Sequence, residues 1–339
     1  MLPPLRTTII ATLGPSSSRP ATVAALREAG ADAVRLNGSH LDAEGLRRFA
    51  SAAVEGGFES ARIIVDLQGG KTRIDGVDVP EDVPEGHDVL LTPSPPPRQN
   101  DHALVLPVDR PEFLEALVPG DTVRIDDGRL ALQITETSGA GARARTLGAG
   151  RISNRKGLAL VGREVELSPR LLDADRELVR VALELGVGTL AVSYAAVPGI
   201  LQATRRAAAP TAGPTGPPAL VAKLEQPEAL DRIEDIRASS DALWLCRGDL
   251  GAEVGLAKLS ALQRRLLDAT LGRTPVLVAG QVLHHMTVSP RPTRSEACHV
   301  GDLVERGVAG FVLSDETAVG EHGPDAVRFL RQITDETAR

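Results

Sequence analysis

The run "ALVAKLE" sets Lys223 and Glu225 two residues apart, and "RGDLG" supplies Asp249 one element later. Residues two apart in a strand face the same side, so an ammonium and a carboxylate point together. Glu225 and Asp249 are hard oxygen donors, of the kind that hold Mg2+ or Mn2+ while leaving part of its shell to water or substrate. A lysine beside such a metal stabilises a transferring phosphoryl group or a developing enolate. More polar groups follow other apolar runs: Arg35, Asn37, Ser39 and His40 in "RLNGSH", Asp66 ahead of "LQGGK", and Ser314 and Glu316 in "LSDE". Taken singly, each reads equally well as half of a structural ion pair, since those pairs also cluster. They form a site only if the chain gathers them.

Eight short β-rich apolar runs begin at Thr7, Ala31, Ala61, Gly188, Ala219, Asp241, Thr274 and Ala309, with helical stretches between them. That alternation implies parallel βα units, and eight of them imply a (β/α)8 TIM barrel of the α/β class. "SRPATVAALREAGA" and "DADRELVRVALELG" carry apolar residues at helical spacing and stop at Gly30 and Gly186. Such barrels work at the C-terminal ends of their strands, where all the groups above fall. Between the third and fourth runs the pattern changes. "PEDVPEGHDVLL", a proline cluster from Pro93 to Pro97, and "DTVRIDDGRLALQITET" with an Asp127-Gly128 hairpin turn predict a small inserted all-β lid domain. Its expected span is 74–152, between barrel segments 1–73 and 153–339. "AAAPTAGPTGPP", from Ala207, reads as a loop.

Composition narrows the function classes. With 339 residues, 42% hydrophobic and 24% charged, the chain has the make-up of a globular protein. A net charge of −7 without a basic run excludes a nucleic-acid partner held by counterion release. No apolar run reaches the roughly 20 residues of a membrane span, so no membrane partner and a cytoplasmic location are expected. The two cysteines, Cys246 and Cys298, build neither a disulfide framework nor a metal cluster, and both read as inert core residues. Cys298 and His299 read as helix residues, and His284 and His285, being adjacent, diverge on a helix. No Walker loop is present, and "LGAGR" is too short for a dinucleotide fingerprint.

"TTIIATLGPSS", "AVRLNGSH", "VAKLEQPEAL", "RGDLGAEVG", "PRPTRSEACHV" and "LSDETAVGEHGPDAVR" resemble, in order and spacing, the signature segments of pyruvate kinases, over nearly the whole chain. The resemblance implies a (β/α)8 A domain, an inserted β-barrel lid called the B domain, and conversion of phosphoenolpyruvate and ADP to pyruvate and ATP with Mg2+ or Mn2+. By position, Lys223 matches the lysine that stabilises the phosphoryl group and enolate oxygen, and Glu225 and Asp249 match the divalent-metal ligands. Arg35 and His40 match nucleotide contacts, as does Lys156 in "NRKGLALVG"; Arg73 and Asn37 join that set. Gly280, Ser314 and Glu316 complete the catalytic positions. Asn37, Ser39 and Asp66 match a monovalent-cation site, to which Leu67 and Lys71 belong. Many members need K+ there and carry an acidic residue in place of Lys71. A second branch resembles this chain at Leu67, Gln68 and Lys71, its lysine supplying the charge, so K+ is not expected to be required.

The departures from the pattern are as informative. "AGQV" stands where the family has "ATQM", so Gly280 replaces a threonine that contacts substrate and helps protonate the enolate. Ala159 and Val161 replace the lid hinge's asparagine and proline, Asp315 a glycine, and Ala196 an arginine after strand four. The chain stops at Arg339, where the family's C-terminal domain begins. The resemblance therefore extends to a homodimer but not to tetramer assembly or effector control. Gly280 opens an alternative, the same metal-enolate chemistry on a larger 2-oxo acid or another acceptor, as a transferase or lyase of specialised metabolism. A non-catalytic binding protein is disfavoured because Lys223, Glu225 and Asp249 are all intact.

Overall fold

The structure is a computed structural model and describes residues 6–77, 81–96, 104–126, 128–162, 165, 168, 170–197, 199–209 and 216–337. All eight apolar runs are strands: Thr8–Leu13, Ala33–Asn37, Ile63–Leu67, Thr189–Val192, Ala219–Leu224, Ala242–Cys246, Val276–Ala279 and Gly310–Leu313. Each pairs in parallel with its neighbours in sequence among these eight, and the eighth pairs with the first, closing the barrel. Continuous burial on both faces explains why these runs are apolar throughout instead of alternating.

The outward side chains pack under the helices in the large core, while Ile10, Ala33, Ile64, Val221 and Trp244 belong to a second cluster inside the barrel. Two residues further along the same inward faces come Thr12, Arg35, Asp66, Lys223 and Cys246. The barrel interior thus changes from apolar to polar over one strand period. Register keeps the polar layer level, since Asn37 pairs with Asp66, Asp66 with Ala191, and Lys223 with Trp244. The helices Pro20–Glu28 and Asp173–Glu184 end as expected, with Gly30 and Gly186 at positive φ.

A separate seven-stranded sheet is formed by Thr72–Arg73, Gly157–Leu160, Thr122–Ile125, Leu130–Ser138, Gly141–Thr146, Asp88–Pro93 and Leu104–Val108, in that spatial order. Gly150–Ile152 pairs with Glu81–Val83 in a two-stranded sheet beside it. The pairing reaches both sides of the expected 74–152, because Gly157 and Leu158 pair back onto Arg73 and Thr72. The expected hairpin joins Thr122–Ile125 to Leu130–Ser138 with Gly128 at φ +86°, while Asp127 lies outside the described residues. Pro93 closes a strand and Pro97 lies outside the described residues. The loop expected from Ala207 begins later: Ile200–Ala208 is helix, since an alanine run favours it, and 210–215 lie outside the described residues. No described helix is long and apolar enough to cross a membrane.

Candidate active site

The centre of the polar layer is Lys223. Its Nζ lies 2.7 Å from Ser193 Oγ, 3.1 Å from Asp66 Oδ1 and 2.9 Å from Glu225 Oε1. Burial disfavours its charge, but Asp66 and Glu225 outweigh that and hold Lys223 protonated well above the ordinary lysine range. Asp66 is buried too. It accepts from Arg35 Nε at 2.7 Å, and burial's push upward on its carboxyl is overcome by Lys223 and Arg35, which keep it ionised. Arg35 also donates to Thr12 Oγ1 at 3.1 Å.

Glu225 and Asp249 stand beside this cluster. Glu225 Oε2 accepts the Tyr194 backbone N–H at 2.6 Å. Burial first, and repulsion from Asp249, push its carboxyl up to about 7 against the pull of Lys223. Asp249 is driven the other way, since Lys71, followed by Lys223, overrides its burial. Lys71 forms an ion pair with Asp249, its Nζ 5.7 Å from the centroid of the Tyr194 ring. The Tyr194 hydroxyl donates to Glu253 Oε1 at 3.1 Å.

The paired glycines before Lys71 have a steric reason. A Cβ on Gly69, at φ +59°, would sit 2.3 Å from Ser193 O, and one on Gly70 2.8 Å from Val197 Cγ2. Only glycines let the turn lie this close to the end of the fourth barrel strand.

Above the layer opens a cleft of about 840 Å³, walled by the barrel rim on one side and by Arg73, Arg124, Arg129 and Lys156 of the sheet on the other. Lys156 Nζ bonds Asp126 at 2.8 Å, and Arg73 donates to Arg155 O at 2.6 Å. His40 is exposed at the rim, and its imidazole is pushed down first by desolvation and then by Arg73, Lys156, Arg35 and Arg155.

The barrel-domain model of pyruvate kinases matches residues 5–327. This chain belongs to the pyruvate kinase family. It is 36% identical over 341 residues to the pyruvate kinase of Methylorubrum extorquens, covering 98% of this chain and 69% of that one. It is 33% identical over 330 residues to that of Mycobacterium intracellulare, covering 96% and 68%. A crystal structure of a pyruvate kinase from Cryptosporidium parvum superposes with a TM-score of 0.83 at 27% identity, over 98% of this chain and 69% of that one. The chain is accordingly a phosphotransferase of the kinase type, from a family that uses Mg2+ or Mn2+ and adenine nucleotides.

Set in this pyruvate kinase barrel, the residues expected from the sequence divide. Arg35, Asn37, His40, Lys71, Arg73, Lys156, Lys223, Glu225, Asp249, Gly280, Ser314 and Glu316 all line the cleft. Glu316, however, is fully buried and accepts the backbone N–H groups of Leu283 at 3.1 Å and Ser314 at 2.8 Å, so it ties two rim loops together. Within the expected monovalent-cation set, Lys71 pairs with Asp249. Asn37 Oδ1 accepts the Ser39 N–H at 3.2 Å, Leu67 is buried, Asp66 is engaged by Arg35 and Lys223, and Lys71 is carried over Gly157 to Asp249. Cys298 is exposed on the helix Arg294–Glu305, which buries Val300 and Leu303 on its other side, so it is not a core residue. His284 and His285 open a short 3-10 helix and Cys246 is buried.

Gly280 is more than a missing side chain. Its φ is +86°, a built Cβ would lie 3.1 Å from Gly248 N, and Arg247 Nε binds its carbonyl at 2.9 Å. Threonine in this backbone would be strained, so restoring it would test strain together with pocket size. Sequence reasoning missed Ser193, Tyr194 and Arg247. Arg247 had a signal in adjoining Gly248-Asp249, whereas Tyr194 acts through a backbone N–H and left none.

Among the described residues no three His, Cys, Asp or Glu cluster as a metal cage. Two carboxylates facing a wide cleft do suit a hard cation that takes its remaining oxygens from water or substrate, so the donor set fits the family's metal.

Proposed function

We propose that this pyruvate kinase family member transfers the phosphoryl group of phosphoenolpyruvate to ADP. The observation that carries the reading is Lys223, an ammonium kept protonated by Asp66 and Glu225 at the floor of a cleft with cationic walls. Lys223 stabilises charge on the transferring phosphoryl group and on the enolate oxygen left behind. Arg35, locked on Asp66, keeps that carboxylate from attracting Lys223 alone and adds positive charge at the rim. Arg73, Lys156 and His40 face the nucleotide phosphates. A divalent cation at Glu225 and Asp249, when bound, supplies Lewis-acid charge to the same oxygens.

The chain divides, in this reading, into a barrel A domain and an inserted B domain that covers the nucleotide and excludes water. K+ is not required, because the Lys71 ammonium already adds a tethered positive charge to the cleft. That charge pairs with Asp249. The larger-substrate alternative is no better supported, since Gly280 answers a backbone demand as well as leaving space. The test is pyruvate formation in a coupled assay with phosphoenolpyruvate, ADP and Mg2+ in sodium or potassium buffer. Equal rates in both are expected. Activity that appears only with K+ contradicts the tethered-charge reading, and none in either contradicts the reaction.

A further inference from the structure

Lys71 stands in the way of a metal. Its ammonium pairs with Asp249, while Glu225, the other proposed donor, is occupied by Lys223 at 2.9 Å and by the Tyr194 N–H at 2.6 Å. Packing fixes the lysine there. A Cβ on Gly157 would lie 2.3 Å from Lys71 Cε, so the stem runs directly over that glycine, with the Tyr194 ring 5.7 Å from the ammonium. Only 10% of the Lys71 side chain and 17% of that of Asp249 are exposed, so solvent and salt screen the pair weakly. A dication arriving between Glu225 and Asp249 therefore meets a like charge already bonded to one of its two ligands.

We propose that Lys71 is a built-in competitor of the divalent cation at Asp249: it neutralises this carboxylate in the metal-free protein and is displaced when metal binds. The inference rests on the assignment of Glu225 and Asp249 as the metal donors. It has a consequence for the order of binding. Free metal is held weakly, because displacing Lys71 breaks its weakly screened ion pair with Asp249. Metal that arrives with a phosphorylated, anionic substrate brings negative charge for the released ammonium, so metal and phosphoenolpyruvate bind cooperatively.

Calorimetric titration of Mn2+ into the substrate-free protein tests this without reference to turnover. Lys71→Met removes the competing charge and is expected to tighten Mn2+ by at least about tenfold, the scale of one buried charge contact. Gly157→Ala keeps the ammonium but pushes its stem off the glycine, and is expected to tighten Mn2+ less. Asp249→Ala is expected to abolish binding. If Asp249→Ala abolishes binding while Lys71→Met leaves the affinity unchanged or weaker, the competitor role is wrong and the metal site stands. If Asp249→Ala binds as tightly as the parent, the metal assignment falls and the competitor role with it. Should Lys71→Met fail to fold, Gly157→Ala decides alone, and an unchanged or weaker affinity there overturns the proposal.

Discussion

At Gly280 two demands meet in one residue. The missing side chain opens the floor of the cleft, while φ +86° and the contact 3.1 Å from Gly248 N call for a residue without a Cβ. A left-handed backbone costs an L-residue roughly 1–2 kcal/mol. Gly280→Ala is therefore expected to lower stability by about that amount, read from urea unfolding, because even the smallest side chain meets both penalties. An unchanged midpoint would show that the rim relaxes freely and that the glycine serves the pocket alone. The neighbouring loop depends on the same geometry, since Arg247 holds the carbonyls of Gly280 at 2.9 Å and Gln281 at 3.0 Å.

The turn after the third barrel strand is the element on which the site most depends. It delivers Lys71, and its own backbone is held from outside: Asp175, in the first turn of the helix Asp173–Glu184, accepts the N–H groups of Gln68 at 3.0 Å and Gly69 at 2.8 Å. Burial pushes the Asp175 carboxyl up to about 6, against those two hydrogen bonds. A carboxyl whose folded value is raised binds more protons folded than unfolded, so its contribution to stability is greatest below pH 4 and is lost as pH rises from about 4 to about 6. The loss amounts to about 3 kcal/mol at most. Urea unfolding at pH 4 and pH 7 should show the parent losing stability, relative to Asp175→Asn, as pH rises. Parallel pH dependences would contradict this account of the turn. The eight barrel strands were legible because strands buried on both faces leave unbroken apolar runs. The bounds of the inserted sheet were not, since Thr72–Arg73 is only two residues long and Gly157–Leu160 reads like the approach to another barrel strand. The partner of Lys71 was hidden for a different reason: its meeting with Asp249 is set by a glycine turn and by Gly157, none of which has a sequence period.

Over the whole molecule, barrel and inserted sheet are joined by buried polar ties as well as by the cleft between them. Arg110, fully buried ahead of the helix Pro111–Ala116, donates to Gly69 O in the lysine turn and to Arg170 O at 3.3 Å. Asp109 accepts the Arg73 N–H at 2.9 Å and a bond from Gln68. Arg124 reaches from the sheet to Ala252 O, near the end of the helix that starts beside Asp249. The sheet is thereby positioned from the same turn that positions Lys71, and both walls of the cleft share one frame. Phosphoryl transfer in that cleft is the central claim, and 31P NMR observes it directly. With phosphoenolpyruvate, ADP and Mg2+, the parent protein is expected to convert the phosphoenolpyruvate resonance into those of ATP, and Lys223→Met to do so at least about 10²-fold more slowly. Loss of the phosphoenolpyruvate signal without ATP, or equal rates for parent and Lys223→Met, would contradict the account.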